Sequence, residues 1–90
     1  MMQELEHLRT IIDDIDSQLL CLLAKRQEIV KQVGEFKLKQ NIPVLDQARE
    51  DSLYKYHQEL STKYGLSFDF IQDLFAMIME HSRKTQREIK

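Results

Sequence analysis

Three observations predict an all-α fold of three helices. Gly occurs twice and Pro once in 90 residues, which leaves few places for turns and favours long uninterrupted helices over a sheet. Apolar residues recur at steps of three and four over most of the first forty positions. Charged residues make up 31% and hydrophobic residues 42%, a balance that fits a helical protein in water.

The first helix is expected from about Gln3 to about Lys39. Its heptad stripe is Leu5, Leu8, Ile12, Ile15, Leu19, Leu22, then Arg26, then Ile29, Val33 and Phe36. Gly34 is its weak point, at roughly 1 kcal/mol against Ala in a helix interior. The stretch QNIPVL ends it, because Pro43 biases Ile42 toward an extended conformation. Asp46 is the expected N-cap of a second helix whose apolar face would be Leu53, Tyr56, Leu60 and Tyr64. Gly65 is a natural stop. Ser67 can cap the third helix, with Leu66 and Ile71 at the spacing of a hydrophobic staple. The third helix would bury Ile71, Phe75 and Ile78, with Leu74 and Met79 beside them.

Helix length then bears on assembly. About 36 residues at 1.5 Å each give roughly 54 Å. A compact domain of this size has a radius of gyration near ~12 Å, so it is roughly 30 Å across. The helix overshoots such a globule while its apolar stripe continues nearly end to end. A second copy of the chain is the simplest cover, so the sequence predicts an intertwined helical homodimer with paired long helices. A long coiled coil with the other two helices folded back is the alternative. Residues 1–90 are read as one domain, marginal as a lone monomer.

Composition also excludes functions. Thirteen Lys and Arg against fifteen Asp and Glu give a net charge of −2, which does not suit a nucleic-acid binder. Cys21 is alone, cannot form an internal disulfide, and reads from LLCLLA as a core residue in a reducing compartment. The N-terminus MMQELEHLRT has no apolar signal core and no run approaches a membrane span, so a cytoplasmic location is expected.

Polar residues intrude on the inner faces. Arg26, Val30, Val33 and Lys37 share one stripe of the first helix. Arg49 shares the azimuth of Leu53, Tyr56 and Leu60. Ser82 and Gln86 extend the stripe of Ile71, Phe75 and Ile78. Singly, each has a structural explanation: an Arg in a heptad seam can set register, and polar residues near helix ends can reach water. Together they are harder to dismiss, because buried cations are costly unless paired. The inward anions are few, namely Glu50 beside Arg49 and Asp46 one turn earlier. The surplus of positive charge asks for a small anionic ligand, most simply one with more than one carboxylate.

The usual catalytic groupings are missing. His7, His57 and His81 are scattered and have no metal-ligand spacing, so no metal is expected. Cys21 has no nearby base, and no Gly-rich phosphate loop occurs. Any chemistry would rest on binding, orientation and charge stabilisation, with no cofactor.

Three stretches carry a resemblance: LRTIIDDIDSQLLCLLAKRQEIVKQVGEFK, then PVLDQARE, then LFAMIMEHSRKTQ. From about Leu5 to about Gln86 the chain resembles the all-helical AroQ class of chorismate mutases. That resemblance implies three helices per chain, an intertwined dimer and two active sites. It assigns Arg9 to a carboxylate of the substrate in the partner subunit's site, and Arg26 to a carboxylate within the same subunit. Lys37 would contact the ether oxygen and a carboxylate. Asp46 and Glu50 would help recognise the ring hydroxyl, with Arg49 supporting the cationic wall. Ser82 would line the site and Gln86 would meet the ether oxygen. No polar position departs from the pattern.

The implied reaction is the one-step rearrangement of chorismate to prephenate in phenylalanine and tyrosine synthesis. It needs no nucleophile, metal or proton transfer. An amide at position 86 donates without needing a proton, so activity should stay nearly flat across roughly pH 5–7.5. Isochorismate-pyruvate lyases of salicylate formation share the fold, but carry an apolar residue in place of Glu50. A non-enzymatic helical dimerisation module would explain the stripe and Arg26, but not Lys37, Arg49, Ser82 and Gln86 all facing inward. Whether the chain stands alone or is part of a bifunctional protein is open at the level of sequence, as is allosteric control.

Overall fold

Capping chemistry sets the helix boundaries. The computed structural model describes residues 2–90 and contains α1 (Met2–Gln40), α2 (Gln47–Tyr64) and α3 (Phe68–Arg87), with no strand among the described residues. Asp46 Oδ1 accepts the Arg49 N–H at 3.0 Å and Ser67 Oγ accepts the Phe70 N–H at 3.4 Å, as the two N-caps require. α1 ends at Asn41, whose φ of 56° is left-handed. The Ile42 N–H then returns to the Lys37 carbonyl at 2.8 Å, the long hydrogen bond of a Schellman ending. Gly65, with φ 67°, closes α2 in the same way through Leu66 N–H and the Ser61 carbonyl at 2.9 Å.

α3 packs against both other helices, which make no close backbone approach to each other. The short link through Gly65 and Ser67 makes α2 and α3 antiparallel, so Glu50 meets Arg83 and His57 meets Phe75. α1 and α3 run in the same direction, with Arg26 against Ser82 and Gly34 against Gln86 and Ile89. A Cβ on Gly34 would lie 3.2 Å from the Gln86 Cα, so the missing side chain is what lets α3 come this close.

The heptad stripe is not where the chain packs on itself. Leu8, Ile12, Ile15, Leu19, Leu22, Ile29 and Phe36 are all at least half exposed, and Val30 and Gly34 are the buried residues of α1. The core expectation for Cys21 does not hold within one chain. Cys21 is exposed, because nothing among the described residues packs against the N-terminal half of α1. The face expected for α2 is also displaced. Leu53 and Leu60 are half-buried, but Tyr56 and Tyr64 are exposed, and His57 and Ser61 take the inner positions. The His57 ring stacks on Phe75 at 3.9 Å, which pulls the buried face round by one residue.

The molecule is long for its mass, with extents of 59 × 27 × 16 Å and a radius of gyration of 16.9 Å. Its accessible surface is 7643 Å², whereas a folded monomer of this mass would expose roughly 5500 Å². Among the described residues, no helix is long and apolar enough to cross a membrane.

Candidate active site

The C-terminal half of α1, the loop before α2, the start of α2 and the end of α3 enclose a cavity of about 310 Å³. Seven of the eight residues singled out in the sequence line it: Arg26, Lys37, Asp46, Arg49, Glu50, Ser82 and Gln86. Ile29, Val30, Val33, Val44, Leu53 and Met79 supply its apolar surface. Its size lies at the lower end of the range for small-molecule sites, roughly 300–1,000 Å³.

Each polar side chain is placed by a local cause. Arg26 leaves α1 toward α3 and donates through Nη1 to Ser82 Oγ, a hydroxyl that also donates to the Ile78 carbonyl at 2.8 Å. Ser82 is almost fully buried, so this contact fixes the guanidinium from behind. The next residue of α1, Gln27, donates through Nε2 to Thr85 Oγ1 at 2.7 Å, about one turn along α3 from Ser82, and clamps the same two helices. Lys37 Nζ donates to the Val44 carbonyl at 2.7 Å, which ties the ammonium to the loop entering α2. Asp46 is engaged at the α2 N-terminus as its cap. Gln86 Oε1 is buried and has no hydrogen-bond partner among the described residues, an arrangement that costs about 1–3 kcal/mol.

The cavity is cationic. Among the described residues, Arg26, Lys37 and Arg49 form no ion pair. Burial, and then the charge of Arg49, lowers the Arg26 pKa from its ordinary value. The His57 pKa is lowered by burial first, then by Arg26 and Arg49. Both shifts come first from burial and then from neighbouring positive charge.

Glu50 is the exception. Its Oε1 accepts from Arg83 Nη1 at 2.7 Å, and both side chains are about three-quarters buried, at 24% and 25% exposure. Arg83 lines the cavity but did not stand out in the sequence, where it reads as one of several charges in HSRKTQ. It lies next to Ser82, yet about 100° further round the helix it faces α2 rather than α1. The sequence signal that could have found it is the opposite charge of Glu50 on the facing helix, visible only once the two helices are set antiparallel.

Arg9 lies outside the cavity. It sits on the uncovered half of α1, exposed, with Nη1 on Glu6 Oε1 at 2.9 Å. Seventeen residues of helix put it about 25 Å from Arg26 along the axis. Among the described residues no group of His, Cys, Asp and Glu is placed to hold a metal ion.

The sequence model of the chorismate mutase type II family matches residues 8–87. The chain is similar to the chorismate mutase of Methanocaldococcus jannaschii, at 30% identity over 98% of this chain and 89% of that protein. It is similar to the T-protein of Enterobacter agglomerans, at 35% identity over 98% of this chain and 24% of that protein. It is also similar to the bifunctional chorismate mutase/prephenate dehydratase of Escherichia coli K12, at 38% identity over 91% of this chain and 21% of that protein. The chain thus spans about a quarter or less of the longer relatives it matches.

Proposed function

The chain belongs to the chorismate mutase type II family, and on that premise we propose that it rearranges chorismate to prephenate, an isomerase reaction carried by residues 1–90 as a single domain. The observation that carries this reading is the cavity wall of Arg26, Lys37 and Arg49, three cations without carboxylate partners among the described residues. Such a wall suits a small dicarboxylate.

Arg26 would grip one carboxylate bidentately, its orientation already set by Ser82. Lys37 would meet the other carboxylate and the ether oxygen. Holding the flexible dianion in its compact reactive shape removes part of the entropic barrier. As the ether bond breaks, negative charge grows on its oxygen. Lys37 and the Gln86 amide nitrogen would stabilise that charge more in the transition state than in the ground state. Asp46 and Glu50 would accept from the ring hydroxyl. No step calls for a nucleophile, a metal or a cofactor.

The proposed active species is a homodimer. The uncovered stripe of α1 supports it, and so does the roughly 2,000 Å² of surface in excess of a compact monomer, which matches an obligate interface in size. In that dimer the long helices intertwine and Arg9 of the partner subunit closes the cavity with a further cation. A cytoplasmic location belongs to the same reading, supported by one unpaired cysteine.

The test is prephenate formation by the purified chain, with its mass in solution measured alongside. Prephenate formed by a species of twice the chain mass is the expected result. Salicylate and pyruvate formed from isochorismate faster than prephenate from chorismate would turn the assignment to the lyase.

A further inference from the structure

Glu50 poses a problem that the cationic wall does not solve. It is an anion facing a cavity suited to dianions, and it lies beside a second cavity of about 300 Å³ lined by Tyr54, His57, Phe68 and Phe75. Glu50, Arg83 and Met79 line both cavities, so the Glu50–Arg83 pair forms part of the partition between them. The Glu50 side chain is about three-quarters buried yet borders open space on either side. The 2.7 Å bond from Arg83 Nη1 is what holds it.

We propose that Arg83 is a positioning residue: it fixes the Glu50 carboxylate and balances its charge, so that Glu50 can accept from the ring hydroxyl of the substrate. This inference rests on the mutase reading. Oε1 is engaged by Arg83, and Oε2 makes no hydrogen bond among the described residues. A carboxylate held by one oxygen presents the other in a defined direction. The neutralising charge also keeps Glu50 from repelling the substrate carboxylates that Arg26 and Arg49 attract. Arg83 therefore acts through Glu50 and has no direct part in breaking the ether bond. Ser82 and Arg83 divide the work of α3 between them, one orienting the Arg26 guanidinium on α1 and the other the Glu50 carboxylate on α2.

The test is a double-mutant cycle on the full chain. Arg83→Met should lower kcat/KM for chorismate about tenfold, mainly through KM, because the hydroxyl is bound in ground state and transition state alike. The same change in a Glu50→Ala background should cost less than about twofold, since the residue it positions is gone. A chorismate analogue lacking the ring hydroxyl should likewise be nearly indifferent to Arg83→Met. Arg83→Lys keeps the charge and should recover most of the loss, which also covers the case of Arg83→Met failing to fold. Equal losses from Arg83→Met in both backgrounds or with both substrates, or a loss from Arg83→Lys as large as that from Arg83→Met, would overturn the inference alone. A wild-type chain that forms no prephenate would overturn the mutase reading and the inference with it.

Discussion

α1 is one continuous helix with two unlike halves. From Met2 to about Leu22 nothing among the described residues packs against it, and its apolar stripe lies open. From Ala24 to Gln40 it packs on α3 and carries two of the cavity's cations. The sequence pattern is nearly the same in both halves. What differs is one position on the stripe, Arg26, and one missing side chain, Gly34. The glycine lets α3 approach, and the arginine turns what would be a seam into a wall. The difference teaches that an unbroken heptad repeat leaves an open apolar face, which the proposed second copy would cover, while the polar interruptions line the cavity.

Breaking the first half should have the largest effect. Ile15→Asp puts a charge into the proposed interface, so mass in solution should halve and activity should fall to background. An active monomer would show that the cavity works without the arm. Lys37→Ala touches only the second half. Loss of one such donor is expected to lower kcat by about 10²–10³, with helicity and mass unchanged. Retained activity would remove Lys37 from the mechanism.

Gly34→Ala is subtler. The new Cβ would lie 2.5 Å from Ile89 Cδ1, whose flexible end must swing away, and 3.2 Å from the Gln86 Cα, so α3 must also give by a few tenths of an ångström. Kinetic assays should find kcat reduced about tenfold, since small misplacements of an oriented group are costly. Thermal stability should change little, because the gain of roughly 0.5–1 kcal/mol in helix propensity offsets the strain. Unchanged kcat would show that the depth of Gln86 is not set by this contact.

The smallest effect is on pH. His57 has a pKa lowered by burial and by Arg26 and Arg49. As pH falls, the unfolded imidazole therefore takes up its proton before the folded one, and the unfolded chain binds more protons. This contribution to stability is full above about pH 6.5 and is lost as pH falls from there toward the lower folded value. The Tm of the wild type should drop across that window, and His57→Leu should flatten part of the drop. Activity itself should stay nearly flat over roughly pH 5–7.5, because Gln86 donates as an amide; a steep fall there would argue against its role.

Much of this was legible in the sequence because the signals are local. Asp46, Gly65 and Ser67 act on their neighbouring backbone groups, and the helix ends follow from them. The inward turn of Arg26, Lys37, Ser82 and Gln86 follows from helical spacing alone. What was missed depends on another helix. His57 is inside because Phe75 lies opposite, while periodicity favoured Tyr56. Arg83 matters because Glu50 faces it from α2. Asn41 ends α1 in a left-handed turn, where the sequence drew attention to Pro43.

One proposed interaction joins the two halves of α1: Arg9 on the arm serves the cavity of the other subunit. Refolding an Arg9→Ala chain together with a Lys37→Ala chain tests it directly. Each variant alone should be inactive. In the mixture half the dimers would be mixed, and each of those would hold one intact site, so about a quarter of wild-type activity should return. A mixture no more active than its two components would contradict the shared site.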